Sequence, residues 1–292
     1  MEYIIENEFL RVTIISEGAQ IKSVLSKSDG VEHMWNGDPS VWKYHSPVMF
    51  PYAGKVKDGR IEVRGQLIEN APQHGFHRIS AHDLVNQETD CVTLALTENE
   101  KTMQIFPYKF RFLSTFKVVG RSLHHILTVE NTDVESFKFG VGYHPAFAIP
   151  FDTEHTIADY EFRFSDMESP LCLDAPAGLL TGKYYDLGTN IRNIPITEGM
   201  FDNGSHCMVN LHSKTLGVYE KGSQRAVVCD IGEFPYCLIW SQPGMPKFVC
   251  IEPWHSVPSM ESGSYAWEEK AAAAAVEPGG SWSTVMKTTF TR

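Results

Sequence analysis

Apolar residues recur at every second position along most of this chain, and a helical period is almost missing. "FLRVTII" sets Leu10, Val12 and Ile14 on one face, and "CVTLALT" does the same with Val92, Leu94 and Leu96. "FRFLSTFKVV" aligns Phe110, Phe112, Phe116 and Val118, turns at "GRS" and continues as "LHHILTVEN". "TLGVYE-KGSQ-RAVVCDI" reads as a hairpin with Gly222 in its turn, and "SWSTVMKTTF" alternates again near the C-terminus. A period of two is the mark of strands with one face buried, and short turns join such strands antiparallel. The strongest helical text, "SYAWEEKAAAAA" before "EPGG", is read as one short helix or an ordered loop. The polar stretch between about Asp152 and Asn203 reads as an insertion between strands. No repeat or Ser/Gly/Pro-rich linker divides the chain. The expected fold is all-β: one large antiparallel β-sandwich spanning residues 1–292.

The chain has 292 residues, 42% apolar and 12% aromatic, enough for a sizeable core and against disorder. Its 36 acidic and 25 basic side chains give a net charge of -11, with no basic block. Nucleic acid and anionic membranes are therefore poor partners, and an uncharged small molecule suits better. The opening "MEYIIENEFL" lacks the basic region of a signal peptide, and no apolar run is long enough to span a membrane. The six cysteines are dispersed without CxxC spacing. A cytoplasmic protein without disulfides is expected.

Three short stretches carry candidate chemistry. In "APQHGFHR", Pro72 and Gly75 bracket His74 and put it in a constrained turn. His74 is read as satisfied by the backbone or as a site residue. A metal set of His74, His77 and His82 is disfavoured, because their spacing matches neither one helix face nor one strand face. In "FGVGYHPAF", strand alternation puts Gly140, Gly142 and His144 on one face, and Pro145 ends the ladder. The glycines mark the close approach of a ligand or of another part of the chain. In "CIEPWHS", Glu252 shares a face with Cys250 and Phe248, surroundings that draw a carboxyl pKa towards neutrality, as a general base needs; taken alone it reads rather as one half of an interior salt bridge. Trp254 and Trp240 are read either as sugar-stacking rings or as core.

Taken in order, "FPYAGKVKDGRIEVRG", "HGFHR", "GYHPAF" and "IEPW" resemble the aldose 1-epimerase (galactose mutarotase-like) superfamily, and within it the LacX-like branch, over nearly the whole chain. The resemblance implies a β-supersandwich and a cofactor-free, metal-free exchange of sugar anomers by a monomer or homodimer. It implies Glu252 as general base, His144 as general acid and His74 as a substrate-binding residue. Lys55 stands where mutarotases carry an Arg. Gly204 stands at the place of their substrate-binding Asp, with Asp202 close by as its substitute. Two further readings compete with a free-sugar epimerase. One is a hexose-6-phosphate epimerase, in which Arg78 meets the phosphate. The other is a non-catalytic carbohydrate-binding protein.

Overall fold

The computed structural model describes residues 1–291. Its two principal sheets are antiparallel throughout. The first has nine strands, ordered Ile191–Pro195, Tyr160–Glu168, Thr215–Glu220, Ala226–Asp230, Ser281–Thr291, Ser122–Asn131, Phe110–Val119, Cys91–Thr97 and Asp83–Gln87. The second has eight: Tyr184–Asp186, Leu171–Leu173, His206–Val209, Tyr236–Trp240, Phe248–Trp254, Gly142–Tyr143 and Val48–Met49, with Ala146–Ala148 also paired to Phe248–Trp254. A three-stranded sheet near the N-terminus (Glu2–Glu6, Leu10–Ile15, Gln20–Ser26) and two small ribbons complete the fold.

The alternation read from the sequence is the alternation of burial. Phe110, Phe112, Phe116 and Val118 are buried while their neighbours are not, and Leu10, Val12 and Ile14 behave likewise. Phe162, Val218 and Phe116 of the first sheet share one core with Ile239, Val249 and Ile251 of the second, so the inner faces pack together. A second, aromatic core gathers Phe50, Phe106, Phe110, Phe112 and Phe139, with the Phe50 and Phe112 rings 4.9 Å apart. The expected hairpins form, with Val119 opposite Ser122 across a two-residue turn and Gly222 in the left-handed region at φ 77°.

One open reading is settled and one expectation is overturned. The alanine-rich segment is an ordered loop with a single 3-10 turn, Trp267–Glu269, and then a short strand, Ala274–Val276, paired with Phe137–Phe139. Burial of Trp267 and Val276, together with the open edge at Phe137–Phe139, outweighs the alanine propensity, which is weak over so short a length. The 152–203 stretch is not an insertion. It supplies Tyr160–Glu168 and Ile191–Pro195 to the first sheet, and Leu171–Leu173 and Tyr184–Asp186 to the second. Among the described residues no helix is long and apolar enough to cross a membrane, and all six cysteines are free thiols.

Candidate active site

The site is built on the strand Phe248–Trp254, which is buried on both faces. Its neighbour on one side is Tyr236–Trp240. On the other side Gly142 stands opposite Trp254 and Ala146 opposite Cys250. Both pairs sum to 396, so the same register sets His144 opposite Glu252. The ladder is interrupted there, because Pro145 has no N–H and the His144 N–H donates to the Pro47 carbonyl at 3.0 Å. His144 and Glu252 are thus cross-strand neighbours, with Nε2 and Oε2 3.4 Å apart. Gly142 leaves room for the Trp254 ring: a Cβ there would lie 2.5 Å from the indole. The close approach marked by that glycine is therefore made by the chain itself.

Both members of the pair are almost fully buried, at 1% and 8% exposure for Glu252 and His144. Burial pushes the Glu252 carboxyl well above the ordinary carboxylate range. The Trp254 indole, whose N–H donates to the Tyr143 carbonyl at 3.1 Å, opposes that shift as the smaller effect. Burial, with help from the Arg78 charge, lowers His144 to about 3. Neither Glu252 Oε2 nor His144 Nδ1 has a hydrogen-bond partner. The pair therefore holds a single proton between two groups that each prefer to be neutral.

His74 enters from a different loop. Its backbone adopts φ 64°, and Gly75 follows at φ 68° with its Cα so close to the Phe50 carbonyl that a Cβ would sit 2.0 Å from the oxygen. Only glycine fits at Gly75. The Gly54 N–H donates to His74 Nδ1 at 3.1 Å, while the His74 N–H donates to the Gly54 carbonyl at 3.0 Å. Since Nδ1 accepts, the proton of the neutral ring belongs on Nε2, which makes His74 a donor. The Gln73 Nε2 lies 3.2 Å from that nitrogen, a donor facing a donor in this tautomer, so the amide accepts from His74 only when turned over. Burial keeps His74 well below its ordinary value, with the nearby His144 and Arg78 adding to the effect.

These groups open onto a cavity of about 370 Å³, a size that suits a small polar molecule. Glu252, His144, His74, Lys55, Arg78 and Trp254 all line it. Trp42 stacks on the His144 ring with centroids 5.0 Å apart, and Trp240 meets the same ring edge-on at 5.4 Å. Arg78 is half-buried, donates to the Gln73 carbonyl at 3.1 Å and lies over the Tyr44 ring. Lys55 is exposed and donates to the Ala177 carbonyl at 3.1 Å.

Asp202 is not brought to the cavity. Its carboxylate accepts the Gly244 N–H at 2.8 Å in an exposed turn, whereas Gly204 itself lines the wall with open space beyond it. His77 and His82 lie apart from His74, in the core, with their Nε2 atoms 3.0 Å apart. Trp42 and Gln73 went unnoticed in the sequence: "PSVWKYHS" has no period to flag Trp42, and only the fold carries it to His144. A larger cavity of about 730 Å³ adjoins this one at Leu180 and Pro258. Its partly buried amine, Lys270, donates to the Pro258 carbonyl at 3.1 Å, and burial lowers it to about 8.

Known proteins share this fold. The galactose mutarotase related enzyme of Lactobacillus acidophilus superimposes with a TM-score of 0.95 at 26% identity, covering 100% of this chain and 98% of its own. A galactose mutarotase-like protein of Lactobacillus casei gives 0.91 at 26% identity, with 100% of both chains covered. The plasmid and chromosomal LacX proteins of Lactococcus lactis are each 25% identical over 286 residues, covering 94% of both chains. The aldose 1-epimerase family profile matches residues 1–264, and the chain belongs to that family.

Proposed function

We propose that this protein is an aldose 1-epimerase that interconverts the α and β anomers of a free sugar, with Glu252 as base and His144 as acid. The observation that carries the reading is the buried pair itself: a carboxyl and an imidazole 3.4 Å apart, the Oε2 of the carboxyl otherwise unpartnered, at the wall of a sugar-sized cavity.

The reactive form has Glu252 ionised and His144 protonated. Glu252 takes the proton of the C1 hydroxyl while His144 Nε2–H gives its proton to the ring oxygen. The C1–ring-oxygen bond breaks and leaves an aldehyde and a hydroxyl. The pair is now carboxylic acid and neutral imidazole, the state that burial favours for both. Rotation about C1–C2 turns the other aldehyde face to the hydroxyl. On closure His144 takes the hydroxyl proton back and Glu252 returns its proton to the aldehyde oxygen. The pair carries one proton and no net charge throughout, so ring opening creates no unbalanced buried charge. His74 Nε2–H is a ready donor to a sugar hydroxyl. Polarimetry or NMR exchange over a panel of free aldoses and hexose 6-phosphates tests the reading. Failure to accelerate exchange in any of them would leave a non-catalytic sugar-binding role.

A second reading, a hexose 6-phosphate as substrate, is favoured by one observation: among the described residues Arg78 pairs with no carboxylate. Arg78→Met separates the two. For a free sugar we expect a modest change in kcat/KM. For a phosphorylated one, loss of the charge-assisted contact raises KM by roughly 10- to 150-fold, less at high salt.

A further inference from the structure

Cys250 precedes Glu252 by two residues on the same strand face, and the catalytic reading makes no use of it. Its thiol sulfur, His144 Nε2 and a Glu252 carboxylate oxygen all lie within 4.8 Å of one another, each on a buried residue. We propose that these three residues form a binding site for a thiophilic divalent cation such as Zn²⁺, and that the cation inhibits the enzyme by seizing its acid–base pair.

Three features support the site. First, the 3.4 Å between Nε2 and Oε2 is too long for a good hydrogen bond. A tetrahedral ion with Zn–N and Zn–O bonds of about 2.0–2.2 Å places those ligands about 3.3–3.6 Å apart. Second, Glu252 Oε2 is buried and unpartnered, an acceptor with nothing to accept from. His144 Nδ1 is unpartnered as well, so no hydrogen bond prevents Nε2 from presenting its lone pair. Third, the charges cancel. Glu252 as carboxylate and Cys250 as thiolate offset a 2+ ion, the imidazole binds neutral, and the site gains no net charge. The thiol proton and any proton on the pair leave to solvent as the ion binds. The high thiol pKa produced by burial is no obstacle, since a coordinating metal deprotonates a thiol. The fourth position is left for water, and the ion occupies the place where the sugar's C1 hydroxyl and ring oxygen would meet the pair.

Metal capture rests on this geometry alone, and only its inhibitory effect depends on the proposed exchange reaction. Two measurements keep them distinct. Cobalt(II) added to the wild-type protein should give a thiolate-to-metal charge-transfer band, which Cys250→Ala abolishes and Cys207→Ala, a change at a thiol that lines the cavity, leaves in place. In anomer exchange, Zn²⁺ should inhibit competitively with sugar and EDTA should restore activity. Cys250→Ala should stay active while its half-inhibiting zinc concentration rises more than about 10-fold, the loss expected even for an outer-sphere partner. Cys250→Ser, closer in size, replaces the alanine variant if that one folds poorly. Absence of the cobalt band, or a band or zinc sensitivity unchanged by loss of the Cys250 thiol, would overturn the proposal.

Discussion

Glu252 carries a carboxyl that is almost fully buried, stands opposite His144 and, among the described residues, forms no ion pair with a Lys or Arg. Replacing it with glutamine preserves the shape and the neutral form that burial favours, but removes the ability to accept a proton. Glu252→Gln should therefore leave the melting temperature close to wild type and sugar binding largely intact. Anomer exchange followed by NMR should fall on the order of 10²- to 10⁴-fold. Near wild-type exchange would remove Glu252 from the base role. This residue was legible in the sequence because a charge follows the apolar run "KFVCI", although the strand does not end there but continues to Trp254. His144 was legible for a related reason, following two glycines on its strand face. The substitute for the family's binding Asp was not. Asp202 is near the right place in sequence, yet its carboxylate is used up in capping a turn at Gly244.

At the scale of elements, strand period located most of the nine-stranded sheet, because its buried face is continuous and its residues alternate. It failed between 152 and 203. "YEFRF" does alternate, with Tyr160, Phe162 and Phe164 buried, but it sits among polar residues, and the strands that follow are too short to show a period. In the alanine-rich segment the ordered-loop alternative holds: local propensity favoured a helix, but a single 3-10 turn and a short strand paired with Phe137–Phe139 form instead. The register that joins His144 to Glu252 yields a test at this scale. A Cβ at Gly142 would meet Trp254 Cδ1 at 2.5 Å and Met49 Cε at 2.7 Å. Gly142→Ala must push the indole aside, at a cost of about 1–3 kcal/mol. We expect a melting point lower by several degrees, together with weaker sugar binding, since Trp254 also lines the cavity. Unchanged stability and KM would mean that Trp254 has slack that the packing does not show.

For the whole molecule, the sandwich buries several histidines that take no part in the proposed chemistry. His33, His82 and His125 lie at 4%, 3% and 2% exposure. Desolvation lowers them to about 4, about 4 and about 3 respectively. The sign follows from which state binds protons. Below about 6.5 the unfolded chain protonates these rings while the folded protein does not. Their contribution to stability is thus complete above that pH and drains away as pH falls towards 4. Each proton bound only by the unfolded state removes about 1.4 kcal/mol per pH unit, so the three together remove about 4. Glu252 works in the opposite sense: its raised carboxyl contributes most at low pH and loses that contribution as pH rises through its folded value. Against a total stability of roughly 5–15 kcal/mol, the histidine slope is enough to unfold the protein within about two pH units. Circular dichroism should show cooperative acid unfolding with a midpoint between about pH 4 and 5. Anomer exchange should persist until that midpoint and vanish with the fold, because the acid–base pair gains a second proton only near the His144 value of about 3. Histidine ring-proton NMR checks the cause. In the folded protein these three rings should not titrate near 6.5, and ordinary titration there would mean that the acid loss arises elsewhere.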